Sequence, residues 1–181
     1  VSVDSQPIKM LRYTAKKYSV AVSFGYYELC GEAIYSSYMF IGKNGEIVNN
    51  FRRVSKGWKE YDITDEHYKE GDGFKTFTYM GKRIALAVCG DLWYEENIEQ
   101  INKEKFDFLL YPVYVTYNTE MWRTKLVNEY AEQAKKIPRP VFLVNSICDA
   151  DNTRGGCYAF LNGKTVCEVP MGQDGYLLVR V

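Results

Sequence analysis

The sequence predicts an α/β chain in which helices cross over between strands of one sheet, and three observations predict it. Apolar runs of buried-strand type recur at RIALAVC, FDFLLYPV and PVFLVNS. Two segments of helical character, Tyr94 to Lys103 and Thr119 to Lys136, lie between those runs. Strand, helix, strand, helix, strand in that order implies a crossover layer. Glycine-containing pairs at Asn44-Gly45, Met80-Gly81 and Asn162-Gly163 sit between β-rich runs, which predicts hairpins around the crossover layer.

From the amino end, Ile8, Leu11 and Ala15 recur at helical spacing, and Lys16 and Lys17 suit the negative end of a helix dipole. A strand over Val20 to Tyr26 is expected to follow. YSSYMFIG and IVNNFRRV then flank the turn KNGE as a hairpin. Residues Ser55 to Gly73 are polar, rich in charge and tyrosine, and aperiodic, so they are expected to form one long ordered loop; such loops in compact domains are usually functional or disordered. FKTFTYMGKRIALAVC reads as a second hairpin whose outgoing strand, Arg83 to Cys89, is apolar enough for the interior of a sheet covered on both faces. After Cys89 a turn at Gly90-Asp91 leads into the first crossover helix. The tail supplies a hairpin, CYAFLNGKTVCEVP, and a last strand, GYLLVRV. No repeat or shift in composition marks a boundary, and one domain over 1–181 is expected.

The 23 Lys and Arg balance the 23 Asp and Glu, so no net field favours nucleic acid or an anionic membrane, and a small-molecule ligand is expected. No apolar run approaches the roughly 20 residues that cross a bilayer, and VSVDSQPIKM lacks a signal-peptide core, which predicts a cytoplasmic protein. Five cysteines without CxxC pairs or a histidine cluster argue against a disulfide framework and against zinc, and no metal or cofactor is expected. The one histidine, His67, lies in the polar segment TDEHYKEGDG and is expected to be solvated. Cys–His or Ser–His chemistry would have to use it. The 16 Tyr, 9 Phe and 3 Trp fall at strand and helix spacing and read mainly as packing.

Cys89 is the candidate nucleophile. A thiol between a buried strand and a helix projects into the crevice above a sheet, where backbone N–H groups stabilise a thiolate and an oxyanion. The residues alone leave open a second reading, a small buried hydrophobe. Asp91 either handles protons or caps the following helix, the latter being the better reading. Trp58, Trp93 and Trp122 stand near the same loops, to shape a pocket or to seal it. Asn145, at a strand end, either bonds a nearby loop or is a satisfied strand-end amide.

Taken in order, four segments resemble the nitrilase, or carbon-nitrogen hydrolase, superfamily. YSSYMFIGKNGEIVNNFRRV is similar to its hairpin with Asp-Gly-Glu-Ile and Tyr-Arg-Lys. EGDGFKTFTYMGKRIALAVCGDLW is similar to the stretch around its catalytic cysteine. MWRTKLVNEYAEQ with VFLVNS resembles its Trp-Glu helix and following strand, and GGCYAFLNGKTVCEV its glycine-rich hairpin. The likeness runs collinearly from about residue 8 to the end.

This resemblance implies a four-layer α-β-β-α sandwich, N-terminally incomplete in this chain, which would span about the last two-thirds of the family's domain. It implies a Glu, Lys and Cys triad that cleaves a small linear amide, carbamoyl compound or nitrile through a thioester, and subunits that pair as homodimers or higher homo-oligomers. Carried over, Cys89 matches the nucleophile. The lysine position falls on Arg53, with Lys56 the alternative oxyanion cation; Lys59 reads as solvated. The first glutamate would lie upstream of this chain, and Glu28 and Glu32 match a variable turn and are not nominated. The second glutamate position aligns with Arg123, and Glu120 reaches the same crevice only if its loop is displaced. Trp58, Asp91, Trp93, Glu120, Trp122, Arg123 and Asn145 would line the substrate site. The replacements at Arg53 and Arg123 leave a competing reading, a catalytically silent homologue that binds a ligand or serves as a subunit. A third reading is a generic α/β protein in which Cys89 is structural.

Overall fold

Helix α1 (Gln6–Tyr18) forms where the apolar period puts it, with Pro7 in its first turn, where a missing N–H leaves no hydrogen bond unmade. It closes on Ser19 in the left-handed conformation. The computed structural model describes residues 1–59, 64–149 and 152–181, so positions 60–63 of the predicted long loop lie outside the described residues. The chain folds as two compact units, Val1–Gly73 and Phe74–Val181.

In the first unit, strands β1 (Val22–Cys30), β2 (Ala33–Ile41) and β3 (Ile47–Arg52) form an antiparallel sheet in that order. Ile8 and Ala15 of α1 pack on Met39 and Ile41, with Val22, Phe24, Tyr26 and Ile47 around them. The hairpin tip is fastened to the helix by Arg12, whose Nε donates to the Gly45 carbonyl at 2.8 Å. Gly45 has φ 84°, and a Cβ there would meet the Arg12 carbonyl oxygen at 2.7 Å, so the turn requires glycine twice over. A short strand β4 (Tyr68–Lys69), inside the predicted loop, runs parallel to the start of β2.

The first strand is longer than the apolar pattern predicts. Instead of turning after Tyr26, it continues to Cys30, and only Gly31 and Glu32 make the turn. The extension is hidden from the sequence because it buries a glutamate, Glu28, which in a pattern of apolar residues reads as loop.

In the second unit, one mixed sheet runs β12-β11-β8-β7-β6-β5. Its strands are β5 (Phe77–Tyr79), β6 (Lys82–Leu86), β7 (Phe108–Val113), β8 (Val141–Asn145), β11 (Cys157–Leu161) and β12 (Lys164–Val169). The small pair β9 (Ile147–Cys148) and β10 (Thr153–Arg154) stands apart. β6, β7 and β8 are parallel to one another, joined through α2 (Glu95–Lys103) and through α3 (Thr119–Met121), a π-helical stretch Trp122–Leu126 and α4 (Val127–Lys135). The turn residues Met80-Gly81 and Asn162-Gly163 all have positive φ, as a two-residue type I′ turn needs. Alternate residues of the strands, among them Leu109, Tyr111 and Val113 of β7 and Val141 and Leu143 of β8, join Ile98, Ile101, Leu126, Tyr130 and Ala134 of the helices in one core.

The turn after Cys89 is wound as a 3-10 helix, Cys89–Trp93, and α2 follows at Glu95, with the expected first residue Tyr94 as its N-cap. One expectation is corrected in this unit. The last strand over GYLLVRV does not form: residues 170–181 carry no strand, and Tyr176 and Leu178 are 81% and 85% exposed. Its β propensity has no ladder to join among the described residues, and a strand exists only through its partner. No helix of the described residues is long and apolar enough to cross a membrane.

Candidate active site

Along β6 and its continuation, Ala85, Ala87 and Cys89 point to the helix-covered face, because successive side chains alternate across a strand. Cys89 therefore emerges at the carboxyl end of a parallel strand, where open α/β sheets bind their ligands. It is half-buried, and its backbone is left-handed, with φ 49°. Three hydrogen bonds surround that conformation. Tyr111 Oη donates to the Cys89 carbonyl at 2.6 Å, the Val88 N–H donates to Asp91 Oδ2 at 2.8 Å, and Asn97 Nδ2 donates to the Asp91 carbonyl at 3.1 Å.

Asp91 is fully buried and turned back on the elbow, where its Oδ2 clamps the backbone before Cys89. Asn145 continues the core-facing register of β8 and is also buried. Its Oδ1 accepts from the Val115 N–H, and its Nδ2 donates to the Val115 and Gly155 carbonyls, so it ties two loops together at the strand end. This is the loop-bonding alternative of the sequence reading, with both Nδ2 hydrogens and one Oδ1 lone pair committed to backbone.

Trp122 is 1% exposed and packs its ring against Tyr130, Tyr158 and Tyr117 at centroid distances of 4.9, 5.5 and 6.3 Å, so it seals the core and does not line a surface. Trp93, by contrast, is 43% exposed and meets Tyr130 edge-on at 5.2 Å. Glu120 and Arg123 are exposed on the π-containing helix, the kind of irregular helix often found at functional sites.

Tyr111 and Tyr130 are site residues that sequence reasoning misses. The available signal is a tyrosine inside the otherwise apolar strand FDFLLYPV, and another on the buried face of α4. Burial pushes both hydroxyls far above their ordinary value of 10, with the charge of a Cys89 thiolate adding to the effect. Both remain protonated donors and neither is a base.

Arg53, Lys56 and Trp58 belong to the first unit. Arg53 is buried and donates from Nε to Ser55 Oγ at 2.8 Å, while its own N–H continues the ladder to the Ser36 carbonyl. Lys56 is exposed. Trp58 lies between the rings of Tyr27 and Tyr68, at 6.1 and 5.7 Å. Lys59, expected to be solvated, is instead part-buried and paired with Glu70 at 2.7 Å, because β4 brings Glu70 back beside it. His67 is exposed and bonded to Asp65, whose carboxylate raises its pKa.

Glu28 is 3% exposed and held by Arg52 Nη2 at 2.7 Å, Arg52 Nε at 3.0 Å and Ser37 Oγ at 2.7 Å. Burial opposes its charge, but the hydrogen bonds from Arg52 and Ser37 and the Arg52 charge outweigh it, so its pKa lies below the ordinary 4.5. A depressed carboxylate stabilises the fold above its unfolded pKa and loses that contribution as pH falls through the folded value. Glu28→Gln is expected to lower the unfolding free energy by about 1–3 kcal/mol at pH 7. In denaturant titrations the gap from wild type should then narrow steadily below pH 4.5. A gap that stays constant down to pH 3 (roughly a unit and a half lower) would contradict this assignment.

A carbon-nitrogen hydrolase family profile matches residues 2–181. The chain belongs to the carbon-nitrogen hydrolase family. Citrullinase from Francisella tularensis subsp. tularensis is 26% identical over 117 residues, which are 61% of this chain and 40% of that protein. Two solved structures share the fold. A carbon-nitrogen hydrolase from Helicobacter pylori G27 superposes with TM-score 0.74 at 16% identity, over 91% of this chain and 63% of that one. A mutant of the amidase from Nesterenkonia sp. AN1 gives 0.72 at 15%, over 91% and 62%, and in that structure the acetamide moiety of fluoroacetamide is covalently added at the active site cysteine. This carbon-nitrogen hydrolase chain thus spans under half the length of the citrullinase and somewhat under two-thirds of each solved chain.

Proposed function

We propose that this chain carries the nucleophile of a hydrolase that cleaves a small linear amide, carbamoyl compound or nitrile through a thioester on Cys89. The observation that carries the reading is a half-buried thiol on left-handed backbone at the carboxyl end of a parallel strand. Family membership and the modified cysteine of the Nesterenkonia amidase support it. With an amide, sulfur adds to the carbonyl carbon, the C–N bond breaks, and the nitrogen leaves as ammonia with a proton. Water then opens the thioester to acid and free thiol. The family resemblance assigns the cation that balances an oxyanion to the position of Arg53, with Lys56 the alternative. The resemblance assigns the proton acceptor to a glutamate that would lie upstream of this chain; the Tyr111 and Tyr130 hydroxyls, held protonated by burial, do not supply it. Self-association into a homo-oligomer belongs to the same reading.

The silent-homologue reading is favoured by Arg53, whose Nε is already bonded to Ser55. Short aliphatic amides, ureido compounds and nitriles, tested for ammonia release and for intact-mass change, separate the two. The hydrolase reading expects ammonia and a transient acyl adduct mapping to the Cys89 peptide. It fails if neither appears with any substrate and iodoacetamide labels Cys89 no faster than exposed Cys30.

A further inference from the structure

We infer that Tyr111 is a positioning residue for Cys89, its hydroxyl holding the nucleophile's carbonyl and thereby the direction in which the thiol is presented. The inference rests on the reading of Cys89 as nucleophile.

Among the described residues, the non-glycine positions with positive φ are Ser19, Met80, Cys89, Asn152 and Asn162. Met80 and Asn162 occupy two-residue hairpin turns, Ser19 closes α1, and Asn152 lies in the turn between β9 and β10, all local uses of that conformation. Cys89 has no such local need. It stands at the start of a 3-10 helix that would begin as well from ordinary backbone, so its left-handed state depends on the bonds around it.

Of the bonds described at the elbow, those of Asp91 and Asn97 come from within eight residues of Cys89 and fall on Val88 and on Asp91 itself. Tyr111's comes from the neighbouring strand β7, across 22 residues of sequence, and falls on Cys89 directly. Its donor is fully buried in the sheet's core, beside Tyr130. A buried hydroxyl is costly to leave unpaired, so each group fixes the other. Because the peptide is planar and trans, a Cys89 carbonyl held against β7 turns the following Gly90 N–H the opposite way. One hydrogen bond thus orients both the residue that attacks and the peptide next to it.

The test is Tyr111→Phe, which removes the hydroxyl and keeps the ring. Cys30, exposed on the first unit's sheet, serves as internal reference in peptide-mapped alkylation with iodoacetamide. The ratio of Cys89 to Cys30 labelling is expected to change about tenfold, as loss of one buried hydrogen bond at the reacting residue should allow. Where hydrolysis is measurable, kcat should fall by a similar factor with KM nearly unchanged. Tyr158→Phe, which removes a comparable buried hydroxyl bonded to the Met171 N–H, should leave the labelling ratio within about twofold. An unchanged ratio in Tyr111→Phe overturns the inference, and so does an equal change in Tyr158→Phe, which would show general loosening. Alkylation needs no turnover, so a protein that hydrolyses nothing would count against the proposed function while leaving this test decisive.

Discussion

Cys89→Ala is expected to abolish ammonia release, by about 10³-fold or more, while leaving the protein folded. The two halves of that expectation have different origins. Activity falls because the groups described beside Cys89 are otherwise held: burial keeps the Tyr111 and Tyr130 hydroxyls protonated, and the buried Asp91 carboxylate accepts from the Val88 N–H. Stability barely moves because Cys89 is only half-buried and its side chain is small, so truncation removes little apolar area, worth about 1 kcal/mol or less. Cys89→Gly sharpens the point. Glycine adopts φ 49° without the roughly 1 kcal/mol that a side chain costs there, so this variant should be as stable as wild type or more so, and equally inactive. Thermal unfolding beside an ammonia assay reads both. An inactive but clearly destabilised Cys89→Gly would mean the conformation is not strained, and an active Cys89→Ala would remove Cys89 from the chemistry.

The largest loss of stability is expected from Trp122→Ala. The indole is 1% exposed and wedged among Tyr130, Tyr158 and Tyr117, so truncation leaves a cavity in addition to the lost transfer energy. Together these cost about 3–5 kcal/mol, a large share of a domain's net stability. Trp93→Ala is the contrast: with 43% of the residue exposed, an edge-on contact to Tyr130 and a hydrogen-bonding tie to the tyrosine hydroxyls, it should cost about 1–2 kcal/mol. Urea midpoints of the two variants decide the matter. If Trp122→Ala were the milder of the two, the assignment of Trp122 to the core and Trp93 to the rim would be reversed.

Local pattern carries most of the architecture. The three parallel strands, their connecting helices and the glycine hairpins are legible because each is specified by short-range periodicity or by a turn that only certain residues can make. The carboxyl-end position of Cys89 follows from the same pattern, since an apolar strand that stops at a cysteine leaves it at the strand's mouth.

Features that depend on partners far along the chain are not legible in this way. Glu28 looks like a turn residue, because only Arg52, 24 residues away, makes its burial tolerable. Lys59 looks solvated until β4 returns Glu70 beside it. GYLLVRV looks like a strand, yet a strand needs a neighbour's backbone and none of the described residues supplies one. Asp91, Trp122 and Asn145 carry a site's residue types without a site's exposure, a distinction only packing decides. The sequence by itself thus determined the family, the α/β order and the cysteine, all encoded in contiguous segments. Tertiary structure alone decided which polar groups are committed to holding the elbow and which remain at the surface, because burial and long-range hydrogen bonds are properties of the folded chain.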